Sequence, residues 1–254
     1  MFYTKYRPQK FEQLFGLEPV AKALTSQLEK NQVGHAYLFF GPRGTGKTTT
    51  ARILAKEVGC RGLDLIEIDA ASHRGIDDIR NLREKINLAP TEGPYKVYVI
   101  DEVHMLTKEA FNALLKTLEE PPAHAILILC TTEPHKVPET IRSRCQKFEF
   151  KRASTRDIVK KLKFIVESEG ASVPAEDLEL IAKNVEGGFR DAETMLEQVI
   201  VGGLPAAEVV GLTAGESVGD FVDLLLHQQV PKALEFINRT YESGSNLSHF
   251  VRPF

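Results

Sequence analysis

The stretch that decides the fold is "GPRGTGKT", Gly41 to Thr48. Its glycines let successive backbone N–H groups point inward around a phosphate, and the start of the following helix adds partial positive charge. At this spacing Lys47 reaches the β- and γ-phosphate oxygens, and the Thr48 hydroxyl can hold Mg²⁺. We therefore predict a nucleotide-binding P-loop, in which the contacts come from Gly41, Pro42, Arg43, Gly44, Thr45, Gly46, Lys47, Thr48 and Thr49.

The residues that flank this loop supply the context that a P-loop requires. "HAYLFF" (35–40) before it has the length and composition of a strand, and "KTTTARILAKEV" (47–58) after it is typical of a helix. The pattern repeats along the chain, so we predict an α/β fold: a parallel sheet flanked by helices. The other predicted strands are "LDLIEI" (63–68), "KVYVI" (96–100), "AILILC" (125–130) and "KFEF" (147–150), and the other predicted helices are "IDDIRNLREKINLA" (76–89) and "TKEAFNALLKTLEE" (107–120).

Strand patterns end after about residue 152. Three short amphipathic helices follow within residues 154–203, separated by Gly and Pro, and two more helical stretches lie beyond Ala214. We predict three regions on this basis. They are a sheet domain (1–152), a small helical lid domain (153–213) and the beginning of a further helical domain (214–254).

Composition limits the classes of function. The 254 residues carry a net charge of −3, which argues against holding nucleic acid by bulk charge. The apolar runs are too short for a membrane span, and the N-terminus lacks the apolar centre of a signal peptide, so we predict a cytoplasmic protein that does not bind membranes. The three cysteines, Cys60, Cys130 and Cys145, form no close pair, which excludes a zinc site built from two CxxC pairs.

The second chemical signal is "KVYVIDEVH" (96–104), a buried strand that ends in two carboxylates. Asp101 is placed to bind Mg²⁺ at the P-loop, and Glu102 to polarise a water for attack on the γ-phosphate. Carboxylate pairs at strand ends are also common on surfaces, but coupling to a P-loop favours a hydrolytic site. The guanine-reading NKxD motif of GTPases has no match in the sequence. We interpret His104 as a packed or hydrogen-bonding side chain rather than a metal ligand.

Two further polar residues have both a functional and a plain interpretation. Thr131 follows a central strand, where a hydroxyl could orient the attacking water or simply end the strand. Arg190 begins a helix after two glycines, a position that the helix dipole disfavours for a cation. This suggests a role beyond helix stability; the alternative is a surface arginine paired with Asp191 or Glu193.

Five elements in this order, "GPRGTGKT", "VIDEVH", "CTT", "SRC" and "GGFRDA", resemble the AAA+ ATPases of DNA clamp loaders, a family that includes the gamma/tau subunits of bacterial DNA polymerase III. The resemblance covers residues 1 to about 213 and is most specific through residue 150, including "YRPQKFEQLFG" and "VPETIRSRC". It implies a RecA-like sheet ordered 5-1-4-3-2, a three-helix lid and a helical collar that mediates pentamer assembly. The implied activity is ATP hydrolysis with Mg²⁺, without polymerase chemistry.

The resemblance also implies roles for individual residues. Arg144 of "SRC" would be an arginine finger that acts in trans on the γ-phosphate of a neighbouring subunit. Thr131 would be sensor 1 and Arg190 sensor 2. The "YRP" segment, Tyr6, Arg7 and Pro8, would lie against adenine and ribose, or else form only an ordered N-terminal arm.

The implied partners are other clamp-loader subunits, the sliding clamp and the backbone of primer–template DNA. In such loaders helix N-termini and a few basic side chains track the duplex, which suits an acidic chain. The candidates for DNA contact are His73, Arg74, Arg80 and Thr140, and the alternative is a solvated face. Two other functions remain open: an assembly subunit whose ATP is structural, or another AAA+ DNA-processing ATPase such as a branch-migration motor.

The sequence departs from the family in one place. Gamma/tau subunits carry a four-cysteine zinc module between the P-loop helix and the second strand, whereas here Cys60 is followed only by Arg61 and Gly62 before the strand. One thiolate cannot form a tetrahedral site. We predict that this chain binds no zinc and that Gly59 to Gly62 form a tight turn.

Overall fold

A five-stranded parallel sheet forms the centre of the protein. The computed structural model describes the backbone of residues 1–73, 75, 79, 82, 84–211 and 218–242, and the side chains of these residues except 218–220 and 239–242. The strand order is β2-β3-β4-β1-β5, which confirms the predicted 5-1-4-3-2 order. The strands are β1 Ala36–Phe40, β2 Leu65–Asp69, β3 Lys96–Asp101, β4 Ala125–Thr131 and β5 Gln146–Glu149. Each begins and ends within two residues of its predicted bounds.

Helices cover both faces of the sheet and continue beyond it. The described helices, numbered along the chain, are α1 Phe2–Lys5, α2 Glu18–Glu29, α3 Lys47–Glu57, α4 Lys108–Glu119, α5 Glu139–Arg142, α6 Thr155–Glu169, α7 Ala175–Asn184, α8 Phe189–Ile200, α9 Ala206–Val209, α10 Val218–Leu226 and α11 Val230–Glu242. None of the helices in these described ranges has the length and apolar content needed to cross a membrane.

The sheet divides the core into two clusters because successive strand residues point to opposite faces. Tyr37 and Phe39 of β1 pack with α2 and α3, whereas Leu38 packs with α4 on the other face. All seven residues of β4 are buried, which explains why its sequence is a continuous apolar run rather than an alternating one. Each fully buried Leu, Ile or Phe contributes about 1.5–3 kcal/mol relative to an exposed one, so these two layers hold the sheet firmly.

Parallel pairing brings the carboxyl ends of the strands to one edge. Phe40 at the end of β1 pairs with Thr131 at the end of β4, and Asp69 at the end of β2 pairs with Asp101 at the end of β3. The loops that follow these strands therefore meet above the same edge.

A third apolar cluster lies among α6, α7 and α8, separate from the two sheet clusters. Ser154 caps α6 by accepting a hydrogen bond from the Asp157 N–H at 3.2 Å, and Gly170 ends that helix with a φ of +64°. Phe2 of α1 is buried in this third cluster. The first residues of the chain, which the sequence grouped with the sheet, thus pack on the helical region.

The last two described helices pack against each other. The rings of Phe221 in α10 and Phe236 in α11 have centroids 5.4 Å apart. Several apolar side chains of this pair are exposed, among them Leu226 and Leu234. Two helices here agree with the sequence pattern; their assignment to a collar domain stays a prediction.

Candidate nucleotide site

A cavity of about 200 Å³ lies where the loop after β1 meets the helical region. Three parts of the chain line it: the N-terminal arm with the segment around residues 14–17, the 43–49 loop with Asp101 and Glu102, and residues of α6 and α8. Most of the predicted phosphate-binding residues face the same space. The cavity has a polar end at the loop and an apolar side formed by Leu14, Phe15, Leu17 and Phe189.

Glycine is required in the loop for steric reasons. Gly41 has a φ of +147°, and a side chain there would place its Cβ 2.0 Å from the carbonyl oxygen of Phe150. Gly46 has a φ of +98° and is the N-cap of α3. Side chains rarely adopt such a conformation, so only glycine lets the loop turn directly into the helix.

Lys47 lies inside this loop with only 6% of its surface exposed. Its Nζ donates hydrogen bonds of 2.8 Å to the carbonyl oxygens of Gly41 and Pro42. These two residues support the lysine rather than line the cavity. Burial lowers the pKa of Lys47, and the negative charges of Glu102 and Asp101 act in the opposite direction. An anionic phosphate in the cavity would strengthen the charged form further.

Thr48 and Asp101 bring two hard oxygen ligands together. The Thr48 hydroxyl donates to Asp101 Oδ2 at 2.7 Å, from the first turn of α3 to the last residue of β3. A hydroxyl and a carboxylate oxygen this close fit Mg²⁺, which prefers oxygen ligands and keeps its remaining sites for water and phosphate. The donor set therefore agrees with the predicted metal position.

Glu102 has a strained backbone. Its φ of +47° and ψ of +44° are left-handed, a conformation that costs a residue with a Cβ about 1–2 kcal/mol. The Glu102 N–H donates to Asp101 Oδ1 at 3.0 Å, and the Thr132 hydroxyl donates to Glu102 Oε2 at 3.0 Å. Such strain occurs often where a side chain must point into a site, and Glu102 does line the cavity.

The two threonines after β4 have different surroundings. Thr131 is fully buried, and its Oγ1 accepts a hydrogen bond from the Glu133 N–H and lies 3.0 Å from His104 Nδ1. The sequence singled out Thr131, but it is Thr132 that contacts Glu102. Adjacent residues at a strand end point to opposite sides, and the sequence gives no sign of which of the two faces the carboxylate.

The N-terminal arm contributes Tyr3, Arg7 and Pro8 to the cavity lining. Tyr6 is not among the lining residues: its hydroxyl donates to Glu169 at 2.7 Å and its ring packs against Phe2. Sequence reasoning missed Tyr3, since one aromatic residue in a short arm carries no periodic signal.

Arg190 lines the cavity from the first turn of α8. Its guanidinium carbon lies 4.6 Å from the ring centroid of Tyr3, close enough for a cation–π interaction. The Phe189 N–H donates to the carbonyl of Gly44 at 3.0 Å, which fixes α8 against the P-loop. The structure therefore brings Arg190 and the phosphate-binding loop together, at the place that the family resemblance implied for sensor 2.

Lys161 and Glu193 form a buried pair that the sequence did not predict. Their charged atoms are 3.5 Å apart, both side chains are less than a tenth exposed and both line the cavity. Lys161 Nζ also donates to the Tyr6 carbonyl at 2.6 Å. Burial lowers the pKa of Lys161 and raises the pKa of Glu193 to about 6. The only sequence signal is a polar residue on the apolar face of each helix.

Arg144 lies outside the cavity. Its guanidinium donates to the Thr140 carbonyl at 2.8 Å and to Glu119 Oε1, at the end of α4, at 2.7 Å. About a third of the Arg144 side chain is exposed. Within this chain, Arg144 is thus separate from the P-loop cavity, and its expected action on a neighbouring subunit stays a prediction.

The candidates for DNA contact are only partly described. His73 and Thr140 are exposed, whereas Arg74 and Arg80 lie outside the described residues. Cys60 is buried against the sheet, and in the described part of the chain no three His, Cys, Asp or Glu side chains form a group suited to a metal ion.

The sheet order, the P-loop after β1 and the acidic pair at the end of β3 define a P-loop protein of the AAA+ class. The fold is similar to two structures of the Thermotoga maritima RuvB Holliday junction branch migration motor. One has a TM-score of 0.64 and 22% identity over 76% of this chain and 65% of that chain. The other, a point mutant of that motor, has a TM-score of 0.65 and 21% identity over 94% of this chain and 73% of that chain.

Sequence comparisons identify the family. A family model described as DNA polymerase III, delta subunit matches residues 16–72 and 61–154. DNA polymerase III subunit gamma of Buchnera aphidicola subsp. Schizaphis graminum is 36% identical, over 94% of this chain and 74% of that protein. The tau subunits of Bacillus subtilis and Escherichia coli are 45% and 43% identical, over 98% and 78% of this chain. The chain belongs to the DNA polymerase III gamma/tau family.

These relatives are longer than the chain. It spans 49% of the Bacillus subtilis protein and 34% of the Escherichia coli protein. The alignment with the Bacillus subtilis protein has 276 positions, more than the 254 residues of the chain, so that relative has additional residues within the matched region.

Proposed function

We propose that the chain is an ATP-binding and ATP-hydrolysing motor subunit of a replicative clamp loader. The observation that carries the proposal is the cavity in which Lys47, the Thr48–Asp101 pair and Glu102 converge. An intact set of this kind favours hydrolysis over a purely structural nucleotide. Membership of the gamma/tau family supports a role in loading a sliding clamp onto primer–template DNA.

The cavity suggests how ATP binds. Backbone N–H groups of residues 43–48 and Lys47 would hold the phosphates, while the apolar side with Tyr3, Arg7 and Pro8 would hold adenine and ribose. Thr48 and Asp101 would hold Mg²⁺, which when bound neutralises charge on the β- and γ-phosphates. Arg190 would contact the phosphates from α8 and so link nucleotide state to the helical lid.

Hydrolysis would use Glu102 as the base. Its carboxylate would accept a proton from water as the water oxygen bonds to the γ-phosphorus, and the bond from that phosphorus to the bridging oxygen breaks to give ADP and phosphate. Thr132 would hold one oxygen of that carboxylate in place. Arg144 would supply the remaining positive charge to the ATP of a neighbouring subunit, so hydrolysis would depend on assembly.

The proposed partners are other loader subunits in a pentamer, the sliding clamp and the DNA backbone, in the cytoplasm. His73, Arg74, Arg80 and Thr140 remain the proposed DNA contacts. ATP binding would drive the assembled spiral to open the clamp, and hydrolysis would release the clamp around the DNA.

The decisive experiment compares wild type with Glu102→Gln. ATP affinity is measured on the isolated chain, and turnover on the assembled loader with clamp and primer–template. We expect the variant to bind ATP normally and to lose turnover by about 10²-fold or more, because the amide cannot accept the proton. If the wild-type loader binds ATP and this chain's site shows no turnover, the nucleotide is structural. Equal losses of affinity and turnover in the variant would argue against Glu102 as the base.

A further inference from the structure

The side chain of His104 lies beside the proposed base but does not line the cavity. It follows Glu102 in a short turn, Val103–Met105, and its side chain is 6% exposed. Its Nδ1 lies 3.4 Å from Glu102 Oε2, and its Nε2 lies 3.3 Å from Glu133 Oε1. The imidazole ring therefore lies between two carboxylates, only one of which faces the cavity.

The contacts of Glu102 are unevenly shared between its two oxygens. The Thr132 hydroxyl and His104 Nδ1 both approach Oε2, whereas no hydrogen bond from the described residues reaches Oε1. This arrangement fixes one oxygen and leaves the other open to a water in the cavity. A base that is fixed in this way is aligned before the reaction begins.

The far side of the imidazole is also fixed. Glu133 holds His104 Nε2, is paired with Lys136 at 2.9 Å and donates its own N–H to Thr131 Oγ1. Thr131 Oγ1 in turn lies 3.0 Å from His104 Nδ1. The ring thus contacts the turn from Thr131 to Lys136, which is held by its own internal hydrogen bonds.

We propose that His104 is a positioning residue that anchors Oε2 of Glu102 to the 131–136 turn and leaves Oε1 to accept the proton of the attacking water. The inference rests on the proposed hydrolytic function. Because His104 does not face the cavity, its removal should affect turnover and not nucleotide affinity.

Three substitutions of His104 distinguish the contributions of its two ring nitrogens to turnover. His104→Ala removes both contacts, His104→Asn places an amide near the position of Nδ1, and His104→Gln places one near the position of Nε2. Turnover is measured in the assembled loader, and affinity with a slowly hydrolysed ATP analogue. We expect Ala to lower kcat about ten-fold or more with affinity within about two-fold, Asn to recover most of this loss and Gln to recover little.

A double variant tests whether His104 acts through Glu102. Once Glu102→Gln has removed the base, adding His104→Ala should cause no further loss of turnover, since groups that act as one unit are not additive. His135→Asn is the matched control: His135 also approaches Glu133, at 3.6 Å, but is exposed, and the contacts of Glu102 with described residues do not include it, so kcat should not change.

The inference is overturned if kcat stays unchanged in His104→Ala, if affinity falls in parallel with kcat, if Asn and Gln lose as much as Ala, or if the losses in the double variant multiply. Melting temperatures of all variants are compared, and where Ala unfolds, the difference between Asn and Gln decides. A wild-type loader without turnover at this site would instead refute the proposed function itself.

Discussion

The P-loop and the surface around Arg144 differ in one respect. The residues of a single chain contact each other around the P-loop cavity, whereas Arg144 lies outside that cavity. At the P-loop, Lys47, Asp101 and Glu102 each have a partner from another segment of the chain or from the loop itself. Arg144 instead holds Glu119 and a backbone carbonyl near the surface, away from the cavity. Under the proposed function, one chain would bind a nucleotide with its own residues, while Arg144 would act on the nucleotide of another subunit. Binding and turnover should therefore respond to different substitutions.

The largest effect is expected from Arg144→Ala in the assembled loader. If Arg144 stabilises the transition state of a neighbouring site, its loss should lower turnover there by about 10³-fold or more. The affinity of the isolated chain for ATP should not change, because Arg144 lies outside its own cavity. Single-turnover assays of the assembly and ATP titrations of the isolated chain measure the two effects.

The outcome that would remove the distinction between the two regions is a dilute monomer that hydrolyses ATP as fast as the assembly and needs Arg144 to do so. Arg142→Ala provides a nearby control, since Arg142 pairs with Glu139 in the same short helix and has no proposed role in the reaction.

Lys47→Ala tests the P-loop half of the comparison, because it should lower the affinity for ATP. Hydrogen bonds to charged groups contribute about 1.5–3 kcal/mol, so affinity for ATP should fall about 10- to 100-fold. Fluorescence titration with a labelled ATP analogue measures the loss. Lys56→Ala, at the exposed end of the same helix, should bind normally; equal losses in the two variants would indicate general damage to α3.

Asp64 precedes β2, at the amino ends of the strands and so opposite the P-loop. Asp64→Asn tests whether a change at that end of the sheet alters the affinity of the nucleotide site. The fully buried Asp64 carboxylate accepts hydrogen bonds from the N–H groups of Thr91, Glu92 and Gly93 and from the Thr91 hydroxyl. We expect the variant to melt several degrees lower with unchanged ATP affinity. Calorimetry and nucleotide titration measure the two, and a marked loss of affinity would show that the two ends are coupled.

The same four hydrogen bonds give Asp64 a pH dependence. They lower its pKa from 3.8 to about 2, the backbone N–H of Thr91 contributing most. Because the folded-state pKa is lowered, the stabilisation is present above about pH 4 and is lost as the pH falls towards 2. The difference in melting temperature between wild type and Asp64→Asn should shrink over that range.

The smallest effect is expected from Glu119→Gln. The pair of Glu119 with Arg144 lies at the surface with both side chains partly exposed, and such pairs contribute at most about 1 kcal/mol. Releasing the arginine should raise turnover of the assembly by no more than about five-fold and leave the isolated chain unchanged. Steady-state ATPase assays measure this, and a large loss of turnover would mean that Glu119 aligns Arg144 rather than retains it.

Periodicity and motif spacing predicted the parts of the fold that local sequence determines. Buried parallel strands are continuous apolar runs, so β3 and β4 were predicted almost to the residue. The P-loop was predicted because its glycines are required by backbone geometry at each position. These features depend on residues close together in the chain.

The remaining site residues depend on contacts between distant segments, which periodicity does not encode. Lys161 and Glu193 meet only because α6 and α8 pack side by side, and Tyr3 faces the cavity only because α1 packs on α8. The choice between Thr131 and Thr132 depended on how the chain leaves β4, where the strand alternation ends.

The hydrogen bonds around Asp64 show what holds the start of β2 in place, and this bears on whether the chain needs a metal to fold. They hold the entry to β2 with main-chain donors, four residues after the buried Cys60. If the chain binds no zinc, as we predict, its maturation needs no metal delivery. Cells starved of zinc should then produce it folded, and strong chelators should leave its melting temperature unchanged.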